Sequence, residues 1–184
     1  MERWIDYYGN VSHYLSFERG YDHLEISGMS KVEVQPRWIP PHEQSPLVRT
    51  ILEQLILNHS ETGLHPLEMR EASPRIDHEH EAVIQYANEI FHEERPILVC
   101  LRDLLARFAE EFKFDSTATT VNSTVEEVLV NRRGVCQDFT HLAIALCRAK
   151  RIPARYVSGY LRTHPPAGKP RRRGADASHA WVSV

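Results

Sequence analysis

The stretch "RRGVCQDFTHLAIALCRA" covers residues 132–149 and places a cysteine where an apolar run begins. Leu142, Ile144 and Leu146 leave this run little polar face, which predicts a helix that is buried on nearly every side. Cys136 would then stand at the N-terminus of the helix. There the unpaired backbone N–H groups and the helix dipole favour a thiolate.

A cysteine in this position is a nucleophile only if the fold supplies a base, and a lone buried cysteine is more often a small hydrophobic residue. Cys100 and Cys147 lie inside apolar helical stretches and are interpreted in that way. Of the eleven histidines, most lie in charged stretches. His141 follows Cys136 by five residues and is expected to point away from it. His179 opens the strand-like "SHAWVSV" and is the candidate base.

Composition limits the classes of function. The chain has 184 residues, of which 42% are hydrophobic and 26% charged, with a formal charge of −3. This balance argues against a nucleic-acid partner, and the basic cluster at 171–173 is interpreted as a solvated loop tip. Three cysteines do not make a disulfide framework, so a reducing, cytoplasmic location is predicted. No apolar run approaches the ~18 residues of a membrane span, so no membrane partner is predicted.

The first 40 residues differ in pattern from the rest. Residues 11–17 alternate between apolar and polar side chains, and the same alternation recurs over residues 21–28 and 30–35. This pattern predicts three strands. Prolines at 36, 40 and 41 then break the pattern. We therefore predict a partial β domain over 1–40 and a second domain over 41–184.

Helical spacing dominates the second domain, and strands return at its end. The first helix is expected to begin near Ser45, with Ser45 as N-cap and Pro46 in the first turn. A later short helix is expected to be capped by Ser123 or Thr124. Together these elements predict an α+β fold. The other predicted elements are helices at 79–94 and 96–112 and strands at 154–161 and 178–184.

Two long motifs carry a family resemblance. "RRGVCQDFTHLAIALCRAKRIPARYVSGYL", followed by "GADASHAWVSV", resembles the bacterial transglutaminase-like family. The resemblance is close over residues 117–184, includes the approach "FKFDSTAT", and extends to residues 1–35, which resemble the end of the family's N-terminal β domain. It implies a papain-like core with Cys136 as nucleophile and His179 as base, a protein or peptide substrate, and no cofactor.

The family's acidic third residue has no match in this chain. In the family it follows the histidine by a strand and a turn, whereas Val184 comes five residues after His179. Asp176 would face the opposite way from His179 along an extended chain. Asp138 is interpreted as stabilising the helix dipole or as a structural hydrogen-bonding residue. The chain therefore resembles either a piece of a longer protein or a degenerate member, and both interpretations stay open.

The resemblance also implies a chemistry. The Cys136 thiolate would attack a carboxamide or peptide carbonyl, and His179 would protonate the leaving amine, which leaves a thioester for water or an amine. The backbone N–H of Cys136 is the natural oxyanion donor. Gln137 follows the nucleophile, so the upstream glutamine of papain-type sites is not matched.

Three aromatic residues are candidates for the cleft. Trp181 is two residues after His179, on the same strand face, and either packs in the core or forms a lid. Tyr156 and Tyr160 share a predicted strand face and either line the cleft or pack ordinarily.

Other classes of function compete with the enzyme. A catalytically inactive protein-binding module would keep the cleft and lose the chemistry. His78 and His80 form a weak metal pair, although a solvated segment is the simpler interpretation, and no metal is predicted. The edge of the strand at 178–184 could pair with another chain and form a dimer.

Overall fold

We describe the protein from a computed structural model. It describes residues 2–17, 20, 22–29, 31–36, 38–58, 61–120, 122–161 and 178–184, with the backbone alone at 61–64. These residues form two compact units, 1–38 and 39–184. No helix in the described ranges is both long and apolar enough to cross a membrane.

The first unit contains one antiparallel hairpin, in which β1 (Glu2–Ile5) pairs with β2 (Val11–Tyr14). Asp6 organises its turn, because its Oδ1 accepts the backbone N–H groups of Tyr8 at 2.9 Å and Asn10 at 2.8 Å. Aspartate often makes such turns. The predicted strand at 11–17 is thus shorter than expected.

The strands predicted at 21–28 and 30–35 are wrong: the described residues of both segments have no strand assignment. Val32 is 76% exposed and Val34 is 86% exposed. An alternating pattern forms a strand only when a neighbouring strand takes up its hydrogen bonds and buries one of its faces. Neither segment has such a neighbour within the described residues.

In its described residues, the second unit is an α+β structure in which six helices are combined with short strands, and the α+β prediction is confirmed. Its elements in chain order are a 3₁₀ turn (His42–Gln44), α1 (Val48–Leu57), α2 (Glu61–Glu68), α3 (Glu81–Asn88), α4 (Ile97–Glu111), β3 (Lys113–Phe114), α5 (Val125–Asn131), β4 (Arg133–Gly134), α6 (Cys136–Ala149), β5 (Arg155–Gly159) and β6 (His179–Ser183).

The helix α6 is the centre of the core. None of its residues is exposed, and the side chains from Leu142 to Cys147 are all buried. Helices α3 and α5 and the antiparallel pair β5–β6 pack around it. The prediction that this helix is buried on nearly every side is confirmed. A second ladder, β3 with β4, is parallel and ends two residues before Cys136.

Ser45 is not the N-cap of α1, which begins three residues later at Val48 with Leu47 as N-cap. Its hydroxyl instead accepts the backbone N–H of Leu98 at 3.0 Å and donates to the carbonyl of His42 at 2.7 Å. Ser45 therefore caps α4, a helix 52 positions further along the chain. Pro96 is the N-cap of α4 and lies one residue before its first turn.

Two other helices differ from the prediction. The helix expected over 79–94 ends at Asn88, because the chain turns there and buries Ile90 and Phe91 in the core. Helix α2 was not predicted, since Gly63 and Pro66 both disfavour a helix interior. The helix after Thr124 is confirmed with its capping box, in which Thr124 and Glu127 exchange hydrogen bonds.

A buried arginine fastens the end of α6 to two other segments. The Arg148 guanidinium donates to the carbonyl of Ala154 through Nε and Nη2, at 3.2 and 2.9 Å. Its Nη1 donates to the carbonyl of Glu71 and to the hydroxyl of Ser73, both at 2.6 Å. One cation thus joins the end of α6, the chain after α2 and the residue before β5.

We expect Arg148→Met to lower the free energy of unfolding by about 2–4 kcal/mol, because buried carbonyl oxygens would lose their donor. Urea denaturation followed by circular dichroism measures this change. The matched control is Arg49→Met, which removes an exposed ion pair to Glu94 and should lower the free energy by only about 0–1 kcal/mol. Equal effects of the two variants would contradict a structural role for Arg148.

Candidate active site

Cys136 is the first residue of α6, as predicted. Val135 precedes it in an extended conformation, with φ −108° and ψ 178°, so the chain turns sharply into the helix at the cysteine. The thiol is free and only partly buried, whereas Cys100 and Cys147 are free and fully buried. The backbone N–H of Cys136 belongs to the first turn, where helix N–H groups have no partner within the helix.

The side chains of the arginine pair before Cys136, Arg132 and Arg133, are engaged elsewhere. Arg132 adopts the left-handed conformation at the end of α5, with φ 54°, and its guanidinium lies 4.7 Å from the ring centroids of both Tyr86 and Phe112. Arg133 forms an ion pair with Asp115 at 3.7 Å. The helix terminus itself is the positive feature that remains at the thiol.

Tyr156 is close enough to Cys136 for the two groups to interact electrostatically. Burial raises the pKa of the Tyr156 phenol, and negative charge at Cys136 and Asp138 raises it further. The Tyr156 ring also lies 5.4 Å, centroid to centroid, from the imidazole of His141. His141 therefore lies beside a tyrosine that interacts with the nucleophile.

His141 is half-buried. Burial lowers the pKa of its imidazole, the charge of Asp138 opposes that change, and Arg75 adds to it. Arg75 also lines a groove of about 350 Å³ between residues 74–77 and 122–125.

His179 is the first residue of β6, and it pairs with Gly159 of β5. The register places His179, Trp181 and Gly159 on one face of the ladder and Tyr156 with Val182 on the other. Val182 packs against the core. The register therefore places Tyr156, which interacts with Cys136, on the face opposite to His179 and Trp181. Among the described residues, no hydrogen bond joins Cys136 to His179.

Trp181 covers Gly159 closely: a Cβ at position 159 would lie 2.7 Å from the Cη2 atom of the indole. A side chain at position 159 would displace the ring from this place. The indole is 40% exposed, so it lies at the surface of the ladder and not within the core. The core-packing interpretation of Trp181 is not supported by this exposure.

The remaining predicted site residues are less central. Gln137 is the second residue of α6 and is partly buried. Tyr160 lies outside β5, which is shorter than predicted because its described ladder partner begins at His179, and it is 74% exposed. Asp176, the basic cluster at 171–173 and the rest of the segment before the second strand lie outside the described residues.

Both ring nitrogens of His80 contact other groups of this chain. Its Nδ1 accepts the backbone N–H of Ala82 at 3.3 Å and caps α3, and its Nε2 lies 3.3 Å from a carboxylate oxygen of Glu126. Within the described ranges, no three residues of the metal-binding types come together. His80 is therefore best described as a helix cap.

Comparisons with known proteins agree with this architecture. The family model of the transglutaminase-like superfamily matches residues 84–184. Uncharacterised proteins of Mycobacterium tuberculosis and Mycobacterium bovis are each 39% identical over 188 residues, which cover 97% of this chain and 56% of the relative. An uncharacterised protein of Mycobacterium leprae is 28% identical over 184 residues, which cover 99% of this chain and 61% of the relative.

A solved structure is similar in fold. The crystal structure of a candidate cysteine protease from Cytophaga hutchinsonii superposes with a TM-score of 0.54 at 24% identity, over 69% of this chain and 39% of that one. At this identity the similarity concerns the fold alone. The chain spans little more than half the length of the curated relatives it matches.

An α+β core whose central buried helix begins at a cysteine, beside a ladder that begins at a histidine, is of the papain-like class. The chain belongs to the transglutaminase-like superfamily, because the family model matches more than half of its residues.

Cys136 is expected to react with iodoacetamide faster than Cys100 or Cys147. Burial raises the pKa of Cys147 to about 12 and also raises that of Cys100, and both thiols are 0% exposed. Cys136 is only partly buried, so the reagent can reach its sulfur. Mass mapping of the native protein at mildly acidic pH measures the three rates, with Cys136→Ala as control. Three equally slow cysteines would contradict this assignment.

Proposed function

We propose that the protein is a cysteine enzyme that cleaves or transfers acyl groups at carboxamide or peptide bonds, with Cys136 as nucleophile and His179 as base. The observation that carries the proposal is the placement of an accessible thiol at the first residue of a buried helix, which packs against the ladder that begins at His179.

The reaction balances without a cofactor. His179 takes the proton of the Cys136 thiol, the thiolate adds to the carbonyl carbon, and the carbonyl oxygen takes the negative charge. When the tetrahedral species collapses, the C–N bond breaks and His179 gives that proton to the leaving nitrogen, so ammonia or an amine departs and a thioester remains. Water, or an amine such as a lysine side chain, then adds to the thioester and gives a proton to His179. The C–S bond breaks, the acid or the new amide leaves, and the proton returns to the Cys136 sulfur.

Three features support this chemistry. The helix N-terminus offers the N–H of Cys136 to the developing oxyanion. Trp181 lies on the same strand face as His179, where a flat apolar ring would limit the access of water. Tyr156 lies beside the nucleophile on the other face and is a candidate for substrate contact.

The acyl group should come from a protein or peptide. This expectation follows from the family resemblance, which implies a protein or peptide substrate. In the described residues no hydrogen-bond partner of the His179 imidazole is seen, so an orienting carboxylate is not assigned to any of them. The family resemblance places that carboxylate after the strand of His179.

The test follows ammonia release and amine incorporation on a panel of glutamine-containing peptides. We expect Cys136→Ala to remove turnover, and His179→Ala to lower kcat/KM by about 10²–10⁴-fold, the range for a general acid–base group. His92→Ala is the matched control, because His92 is an exposed histidine away from the helix terminus, and it should leave turnover unchanged. The assay uses this chain and a form that includes any residues following Val184.

Two results would overturn the proposal. If neither form exceeds the Cys136→Ala blank on the whole panel, the inactive binding module becomes the better description. Equal losses in His179→Ala and His92→Ala would remove His179 from the mechanism while leaving Cys136 in place. Activity of both forms at equal rates would show that no later carboxylate is needed.

A further inference from the structure

We propose that Asp138 is a positioning residue that sets the backbone of Cys136 for oxyanion binding, an inference that rests on the proposed function. Asp138 is only 6% exposed and acts, through its carboxylate, on the chain that leads into the helix.

The carboxylate joins two segments through one oxygen. Oδ2 of Asp138 accepts the backbone N–H of Val135 at 2.8 Å and the hydroxyl of Thr119 at 2.7 Å. Val135 is the residue directly before the nucleophile, and Thr119 belongs to the loop that leads from β3 to α5. Because buried hydrogen bonds to a charged acceptor are short and strong, the two segments are held together at the helix start.

Gly134 completes the arrangement by close contact. A Cβ at this position would lie 2.7 Å from Oδ2 and 2.9 Å from Cβ of Asp138. The Cβ atom of Asp138 is fixed by the helix backbone, so it cannot move aside. Glycine at 134 therefore allows the approach strand β4 to lie directly against the carboxylate.

The approach to the helix is also held from the other side. The backbone N–H of Asp115 donates to the carbonyl of Gly134 at 2.9 Å, and that of Lys113 donates to the carbonyl of Arg132 at 2.8 Å. The Gly134–Val135 peptide is thus fixed through its carbonyl by the ladder and through its N–H by Asp138. The Cys136 N–H belongs to the next peptide, whose direction depends on this fixed one, and oxyanion stabilisation depends on where that N–H points.

The charge of Asp138 also affects the pKa of two residues near the nucleophile, His141 and Tyr156. It opposes the lowering of the His141 pKa and raises the pKa of Tyr156. A variant that removes the charge but keeps the oxygen therefore separates position from electrostatics. Asp138→Asn is that variant, because its amide oxygen in place of Oδ2 can accept both hydrogen bonds.

The experiment compares acylation with alkylation in the same variants. Attack on a carbonyl needs the oxyanion donor, whereas displacement of iodide from iodoacetamide needs only the thiolate. We expect Asp138→Ala to lower kcat on the best glutamine peptide by roughly 10–10²-fold, the effect of a displacement of about 1 Å. KM and the alkylation rate of Cys136 should change little.

The variant set contains its own controls. Thr119→Val and Gly134→Ala should follow Asp138→Ala in direction, while Thr119→Ser and Asp138→Asn should keep most of the turnover. Asp103→Ala removes a helix aspartate that pairs with Arg95 away from Cys136, and should leave kcat unchanged. Thermal unfolding of each variant shows whether the fold is retained.

The outcomes separate the two levels of inference. Wild-type protein without turnover above Cys136→Ala would contradict the proposed function, and this inference with it. Active wild-type protein with an equally active Asp138→Ala would contradict this inference alone. Parallel loss of turnover, alkylation and melting temperature in Asp138→Ala, with no rescue by Asp138→Asn, would show a purely structural role and overturn it as well.

Discussion

The burial of α6 on every side is the constraint on which the second unit depends. A helix without an exposed face must be enclosed by several other elements, and α3, α5 and the β5–β6 ladder take up that surface. Burying each large aliphatic side chain contributes about 1.5–3 kcal/mol. The ends of such a helix are the places where its polar backbone groups come out of the core. One end is fastened by Arg148, and the other carries the only cysteine of the chain that is not fully buried.

Much of this core could be predicted from the sequence, because helical patterns are local. The apolar run after Cys136 predicts its helix, and Thr124 with Glu127 predicts the start of α5. Features that depend on distant residues were missed. Ser45 has the right residue type for a cap, yet it caps α4 through space, and the strands expected at 21–28 and 30–35 have no described neighbour to pair with. Pairing and capping at a distance are set by tertiary contacts that a local pattern does not contain.

In the candidate site, too, local sequence patterns predict some features, and distant contacts set the others. The position of Cys136 follows from the helix boundary, and the position of His179 at the start of a strand follows from alternation and from the family motif. The neighbours of the thiol depend on register and were harder to foresee. Tyr156 and His141 meet because β5 runs along α6, which no spacing in the sequence indicates. Arg132 and Arg133 look like activating cations in the sequence, but their side chains are held by aromatic rings and by Asp115.

The cap that Ser45 gives to α4 has a consequence for how the second unit assembles. Helix α5 carries its own capping box and can form its first turn from local contacts. Helix α4 cannot, because the acceptor for the N–H of Leu98 arrives only when the chain around Pro46 lies against Arg95 and Pro96. The first turns of α1 and α4 therefore become ordered together, and closing the loop between them is a condition for both. The two helices form one cooperative unit, and opening either start would release the other.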